Sequence, residues 1–417
     1  MSYIKRIIED DLLEKLSASG AVLIKGPKSC GKTSTAKMYA KSLLEMDRDA
    51  QVPFIMATNP KLLLAGPTPR LIDEWQEQPE IWNYIRHEVD DRNLKGQFIL
   101  TGSANPTDNV RLHSGAGRFT IVQMDTLTWQ ELGYSSGIVK LSDLLQGSFP
   151  EFFDEAVSLE FIIDRMLTGG WPTLLNENVK NALIMNRGYA DLLCEVDMSK
   201  VSGVKRDPLK VRSLLRSLAR NTATLVDNKT LEQDVKTSER SDLSRNTISE
   251  YLDALSRLMI LYEQPAFNPH IRSSASLRKS PKRHLCDTSL AVALLGLNKE
   301  SLLNDLKYTG FLFESLVTHE LNVYAKANDA LVFHYKDSYD LEVDAIVQKR
   351  NGDYAAFEIK LGVGFIEEAA ENLRKFADKI ETSKMDLPKS LNIITGTGIS
   401  YKRNDGINVI SLASLGK

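Results

Sequence analysis

Cysteine is scarce in this 417-residue chain: Cys30, Cys194 and Cys286 lie far apart, are odd in number and form no C-x-x-C pair. Neither a disulfide framework nor a thiolate zinc centre is expected, and a reducing cytoplasm suits such usage. Long apolar runs are missing as well. Nothing approaches the ~18 apolar residues of a membrane span. The opening stretch MSYIKRIIEDDLLEKL alternates charge with apolar residues instead of building a signal-peptide core, so no secretion or membrane association is expected. There is no surplus of either charge, since 52 basic and 55 acidic residues leave a net −3. That balance excludes a globally basic nucleic-acid coat, although Lys200 to Arg220 holds seven basic residues and one acidic one. Internal repeats and low-complexity segments are absent too. The length exceeds what one hydrophobic core normally serves, so two or three domains are expected.

Against these absences stands AVLIKGPKSCGKT, residues 21 to 33. A short apolar strand, Ala21 to Lys25, breaks into a loop bracketed by Gly26 and Gly31 and opens a helix expected from Ser34 to about Leu44. Backbone N–H groups can cradle triphosphate oxygens only where no side chain blocks the approach, and the two glycines give that clearance. Gly26, Pro27, Lys28, Ser29, Cys30, Gly31, Lys32, Thr33 and Ser34 form the expected ATP-binding loop. Lys32 would reach the β and γ phosphates, Thr33 would ligate Mg²⁺, and the helix would point its positive end at the phosphates. Residues 4 to 18 read as an amphipathic helix beside the sheet.

A second motif follows in PRLIDEWQEQPEIW, where Asp73 and Glu74 end a short strand. The C-terminal edge of an open α/β sheet is where ligands bind. Asp73 would hold Mg²⁺ through water and Glu74 would polarise the water that attacks the γ-phosphate. Past the strand Gln97 to Leu100, Thr101 and Ser103 are placed to sense that phosphate.

With these motifs on the page, the chain resembles a family of prokaryotic AAA-type ATPases with a P-loop, an "IDE.Q" Walker B segment and a "TGS" sensor strand, followed by a C-terminal domain of unknown function. The likeness continues through GAGRFTIVQMDTLTWQELG, GGWPTLL, KSPKRHLCDTSLAVALLG, LEVDAIV and FEIKLG, so it covers nearly the whole length. It implies ATP hydrolysis and an α/β P-loop domain over residues 1–140. Arg118 in GRF is the best candidate for an arginine finger, which would come from a neighbour in a homo-oligomer; its alternative role is to stabilise a strand end.

Residues 141–205 read as a helical lid or connector, broken at Gly169-Gly170-Trp171-Pro172. Residues 206–304 have the cadence of a winged helix, with helices expected at Leu209 to Ala223, Thr230 to Val235 and Arg245 to Met259, the last capped by Ser244. Arg245, Asn246 and Ser249 would face DNA at the start of the third helix. The basic run Arg278, Lys279, Lys282 and Arg283 would be a wing or phosphate clamp. A protein-interaction role for this module remains open.

Residues 305–417 run in the order α-β-β-β-α-β, which resembles the core of the PD-(D/E)XK nuclease-like fold. An Asn351-Gly352 hairpin joins two of the strands. Glu314 lies on the first helix, Asp344 on one strand, and Glu358 and Lys360 on the same face of the next. Clustered carboxylates repel unless a cation sits among them, so Glu314, Asp344 and Glu358 are expected to hold Mg²⁺ or Mn²⁺ while Lys360 steadies a phosphate. Two functions follow. One is an ATPase that controls a DNA-binding or DNA-cleaving region; the other is an ATP-driven switch or scaffold whose nuclease-like fold cuts nothing.

Overall fold

In the computed structural model, residues 3–102, 115–268 and 280–417 are described. Ser103, Arg278 and Lys279, three of the expected functional residues, lie outside them.

The first part alternates helices and strands: α1 (Glu9–Ala18), β1 (Ala21–Lys25), α2 (Lys32–Tyr39), β2 (Ser42–Glu45), α3 (Val52–Thr58), β3 (Arg70–Asp73), α4 (Ile81–Arg92), β4 (Phe98–Gly102) and β5 (Phe119–Gln123). The five strands are parallel in the order β2-β3-β4-β1-β5. Apolar residues run continuously along β1 because both its faces are covered. Val22 and Ile24 join the core under α1, whereas Ala21 and Leu23 join the core with Trp75, Trp82 and Ile85.

Two helix expectations change here. The first helix starts at Glu9, because its carboxylate turns back to accept from the Arg6 backbone N–H at 2.5 Å. The loop helix stops at Tyr39: Ala40 is extended, Lys41 N–H bonds to the Pro69 carbonyl, and Leu43 and Leu44 enter a strand beside β3.

The next segment holds β6 (Val139–Lys140), α5 (Leu141–Leu144), α6 (Leu159–Thr168), α7 (Val179–Leu192), a π-helical turn over Leu193–Asp197, and α8 (Met198–Ser202). Then come α9 (Pro208–Arg220), β7 (Thr224–Leu225), α10 (Asn228–Ser238), α11 (Arg245–Arg257), β8 (Leu261–Gln264) and β9 (Lys282–Leu285), with an antiparallel sheet ordered β7-β9-β8. Asp207, Asp227 and Ser244 cap the three helices through side-chain oxygens. Two helices, α12 (Thr288–Leu295) and α13 (Lys299–Asn304), lead onward.

The last part is α14 (Leu306–Lys326), β10 (Ala330–Lys336), β11 (Glu342–Lys349), β12 (Tyr354–Lys360), α15 (Ile366–Asp378), β13 (Ser390–Thr395), β14 (Tyr401–Lys402), β15 (Asn408–Ser411) and β16 (Leu415–Gly416). Its six-stranded sheet runs β10-β11-β12-β13-β15-β14. β16 leaves that sheet and pairs in parallel with β6.

One apolar core joins all three later segments. Trp129, Leu141, Ile162, Leu214, Ile248, Leu290, Phe313, Val317, Phe357 and Leu415 belong to the same cluster of buried side chains. Segments with distinct sequence cadences are therefore packed as one body.

Candidate functional site

The phosphate loop follows the C-terminal end of β1. A Cβ on Gly26 would lie 2.2 Å from the Met124 carbonyl oxygen, so only glycine fits there. Ser29 and Gly31 both take left-handed backbone angles, at φ 63° and 104°. These two residues turn the loop back on itself, with the Cys30 N–H donating to the Pro27 carbonyl at 3.4 Å, just before the helix opens at Lys32. The Lys32 ammonium donates to the carbonyls of Gly26 and Pro27 at 3.0 and 2.8 Å, folded back over the loop it would serve. Pro27 and Cys30 are buried, whereas Lys28, Ser29 and Ser34 are exposed. Burial pushes the Cys30 thiol upward, leaving it protonated and inert.

Because β4 lies between β1 and β3, the ends of these strands meet below the loop. Thr33 donates to Asp73 Oδ1 at 2.7 Å, and the Thr101 hydroxyl donates to the same oxygen. A hydroxyl and a carboxylate side by side are the hard donors Mg²⁺ takes. Glu74 follows in a left-handed conformation at φ 51°, and its carboxylate accepts from the Gln76 amide. Gln76 is the glutamine of the IDE.Q segment, for which no role was expected; its position two residues beyond Glu74 was the available signal.

The connector touches both motifs. Lys28 pairs with Asp197 at 2.8 Å, Tyr189 hydroxyl donates to the Lys28 carbonyl at 3.3 Å, and Lys200 pairs with Glu77 at 2.6 Å. Beneath the loop the buried Arg6 guanidinium reaches the carbonyls of Cys30 and Asp125, each at 2.8 Å, and Glu131 at 2.9 Å.

Arg118 sits elsewhere. It precedes β5, whose first residue pairs with the first residue of β1, so it lies at the sheet edge opposite the phosphate loop. A strand of this length puts about 15 Å between those edges. Within one chain Arg118 is a half-buried strand-end residue, paired with Asp90 at 2.8 Å.

On α11, Ile248, Tyr251, Leu252 and Leu255 are buried while Arg245, Asn246 and Ser249 are exposed. Arg245 pairs with Glu232 at 2.7 Å. The cationic stretch before it is engaged within the chain: Arg206 with Glu250, Arg212 with Asp191, Arg216 with Glu239, and Arg220 with Asp234 and Glu239. Lys282 and Arg283 correct the expected phosphate clamp. Both are buried; Arg283 is held by Glu263 at 2.8 Å and the Val226 carbonyl at 2.7 Å, and Lys282 points into the C-terminal domain.

There Glu314, Asp344, Glu358 and Lys360 do come together. Lys360 Nζ is 2.7 Å from Glu358 and 3.5 Å from Asp344, and Ile359 N–H donates to Asp344 at 2.8 Å. Lys282 Nζ lies 2.7 Å from both Glu314 and Glu342 and 3.5 Å from Asp344. Burial, opposed by Lys282, pushes the Glu314 carboxyl up to about 7. Burial and then the Asp344 charge push Glu358 up to about 8. Burial alone would raise Asp344, but Lys360 and Lys282 override it and hold the carboxyl below its usual range.

Among the described residues, no group of three or more His, Cys, Asp or Glu side chains is arranged to hold a metal ion. The expected Mg²⁺ or Mn²⁺ site therefore does not fit as the residues stand: ammonium groups occupy the carboxylates' inner faces. Sequence reasoning placed Lys282 in a DNA-facing clamp and missed its role in this cluster, because KRHL reads as a surface run. The available signal was an imbalance, the three acidic candidates Glu314, Asp344 and Glu358 against the one lysine of E-x-K.

Family comparison matches residues 18–133 to an AAA domain, 159–301 to a domain of unknown function (DUF8612) and 309–415 to another (DUF4143). The first part of the chain is thus similar to AAA domains. An uncharacterized protein of Mycobacterium tuberculosis is 27% identical over 355 residues, covering 84% of this chain and 72% of that protein. One from Haemophilus influenzae is 25% identical over 251 residues, covering 58% and 55%. Among solved structures, a RuvB of Thermotoga maritima is 16% identical, covers 62% of this chain and 89% of its own, and has a TM-score of 0.28. No described helix is long and apolar enough to cross a membrane.

Proposed function

We propose that this chain binds and hydrolyses ATP with Mg²⁺, and that turnover controls the region after residue 140. The observation that carries this reading is the convergence of Thr33, Asp73 and Thr101 under the phosphate loop, with Glu74 next in line. Lys32 would swing from the loop carbonyls to the β and γ phosphates. Thr33 and Asp73 would hold the Mg²⁺, whose charge offsets that of the phosphates. Glu74, released from Gln76, would orient the attacking water. Lys28 and Glu77 each carry an ion pair to the connector, so rearrangement at the loop would pull on the segments beyond it.

For those segments we keep the reading of a winged helix at residues 206–304 and a PD-(D/E)XK nuclease-like domain at 305–417. The supporting features are the helix-strand-helix-helix-strand-strand order of the first and the α-β-β-β-α-β order of the second. Exposed Arg245, Asn246 and Ser249 at the start of α11 would contact DNA. Arg118 would act on a neighbour's nucleotide in a homo-oligomer, and the protein would work in the cytoplasm.

A second reading, an ATP-driven switch or scaffold with an inactive nuclease-like domain, is favoured by the lysines that fill the carboxylate cluster. Incubating linear and circular DNA with the protein, ATP, Mg²⁺ and Mn²⁺ separates the two. Cleavage that disappears in Lys360→Ala supports the first, and ATP turnover with intact DNA supports the second. Absence of ATP turnover overturns both.

A further inference from the structure

The two lysines of the carboxylate cluster come from different parts of the chain. Lys360 lies on β12, two residues from Glu358 and inside the C-terminal fold. Lys282 lies on β9, the middle strand of the preceding three-stranded sheet. It is 1% exposed. An ammonium has three donors, and three carboxylates face this one: Glu314 and Glu342 at 2.7 Å and Asp344 at 3.5 Å.

Four buried or half-buried carboxylates this close require nearby positive charge. The C-terminal fold itself supplies only Lys360 and Lys336, the latter 3.5 Å from Glu342. The rest comes from outside it. β7 neighbours β9 in the same sheet, and its Thr224 and Leu225 line a cavity of about 420 Å³ together with Glu314, Asp344, Glu358 and Lys360. One sheet therefore delivers the cation and walls the space in front of the cluster.

We propose that Lys282 is an autoinhibitory cation: it occupies the carboxylates that would otherwise take a divalent ion, and such an ion enters only when β9 draws Lys282 out. This rests on the nuclease-like reading of residues 305–417. The strand is linked to the phosphate loop. Just past β9, Asp287 accepts from Gly170 N–H at 2.8 Å and Ser289 accepts from Trp171 Nε1 at 3.0 Å. The adjoining Pro172 lies beside Gly31, its Cγ 3.5 Å from where a Cβ on that residue would be. The arrangement runs from the phosphate loop through one turn to the strand that bears Lys282.

The test measures Mn²⁺ binding to the full chain without nucleotide, by the spin-resonance signal of free Mn²⁺, and assigns it to the cluster by its loss in Asp344→Asn. Lys282→Met, which keeps the length and removes the charge, should bind about tenfold more tightly than wild type or better, the equivalent of one pKa unit of interaction. Equal tight binding in both overturns the inhibitory role and leaves the metal reading standing. No Asp344-dependent binding in either overturns both.

A measurement on unmodified protein guards against a variant that fails to fold. Lys282 should react with an amine-acylating reagent far more slowly than exposed Lys384, and saturating Mn²⁺ should raise its labelling. Rapid labelling from the start, or labelling indifferent to Mn²⁺, overturns the proposal.

Discussion

Thr33 Oγ1 and Asp73 Oδ1 are 2.7 Å apart, a bond that ties the first turn of the loop helix to the end of a strand two positions away in the sheet. Lys32 and Glu74 flank this pair and serve separate steps. Lys32→Ala should lose ATP binding, because phosphate contacts disappear. Glu74→Gln should keep binding and lose turnover by about 10² or more, the scale of general-base assistance. Fluorescent-nucleotide titration and phosphate release check the two. Equal turnover in wild type and Glu74→Gln removes Glu74 from the reaction.

Arg118 cannot reach the phosphate loop of its own chain, so any catalytic role is exercised on a neighbour. Specific ATPase activity should then fall on dilution, and Arg118→Ala should lower it by about 10³, as for fingers supplied in trans. Mixing Arg118→Ala with Glu74→Gln should restore part of the activity at mixed interfaces. Activity that is constant on dilution in a monomeric protein leaves Arg118 as a strand-end partner of Asp90.

The buried Arg6–Glu131 pair should matter more for stability than any exposed pair. Arg6→Met removes the cation and the two bonds to the carbonyls of Cys30 and Asp125, and should cost about 3 kcal/mol. Glu131→Gln in the same chain should recover part of the loss, since the stranded charge is then gone. Urea unfolding of the variants reads both effects, and additive losses would count against the pairing.

His284 predicts a pH dependence. Burial, then the charge of Lys282, depress its imidazole to about 3. Gln264 uses its amide N–H groups on the carbonyls of Phe333 and Asp344, so its oxygen accepts from His284 Nε2–H at 3.2 Å. The unfolded chain binds a proton near 6.5 while the folded one resists, so stability is full above that pH. It is lost as pH falls toward 3, at up to about 1.4 kcal/mol per unit. His284→Gln should therefore lose less stability than wild type between pH 6.5 and 4.5 in urea titrations, and parallel curves would refute the assignment.

The phosphate loop, the Asp73–Glu74 strand end and most of the last segment were legible in the sequence because each has a short-range signature. Gly26 and Gly31 bracket a loop, Asn351-Gly352 marks a hairpin, and Glu358 and Lys360 share a face by period two. Strand β2 was not legible: SLLE looks helical, and only its parallel pairing with β3 makes it a strand. β14 and β15 also escaped notice. The hardest residue was Lys282, because charge near a proposed wing suggests solvent, whereas its partners come from two elements later in the chain, α14 and β11. Spacing reports neighbours along an element; it cannot report which distant carboxylates will enclose a lysine.

The pairing of β16 with β6 has a mechanical consequence. Residues 140 and 416 are held side by side, so everything between them forms a loop fastened at both ends next to the part that bears the phosphate loop. A swing of the C-terminal body away from that part cannot turn on a single hinge at residue 140, because the second attachment would resist it. Either the two attachments move as one pivot, which restricts the swing to one axis, or β16 detaches and the body gains a much wider arc.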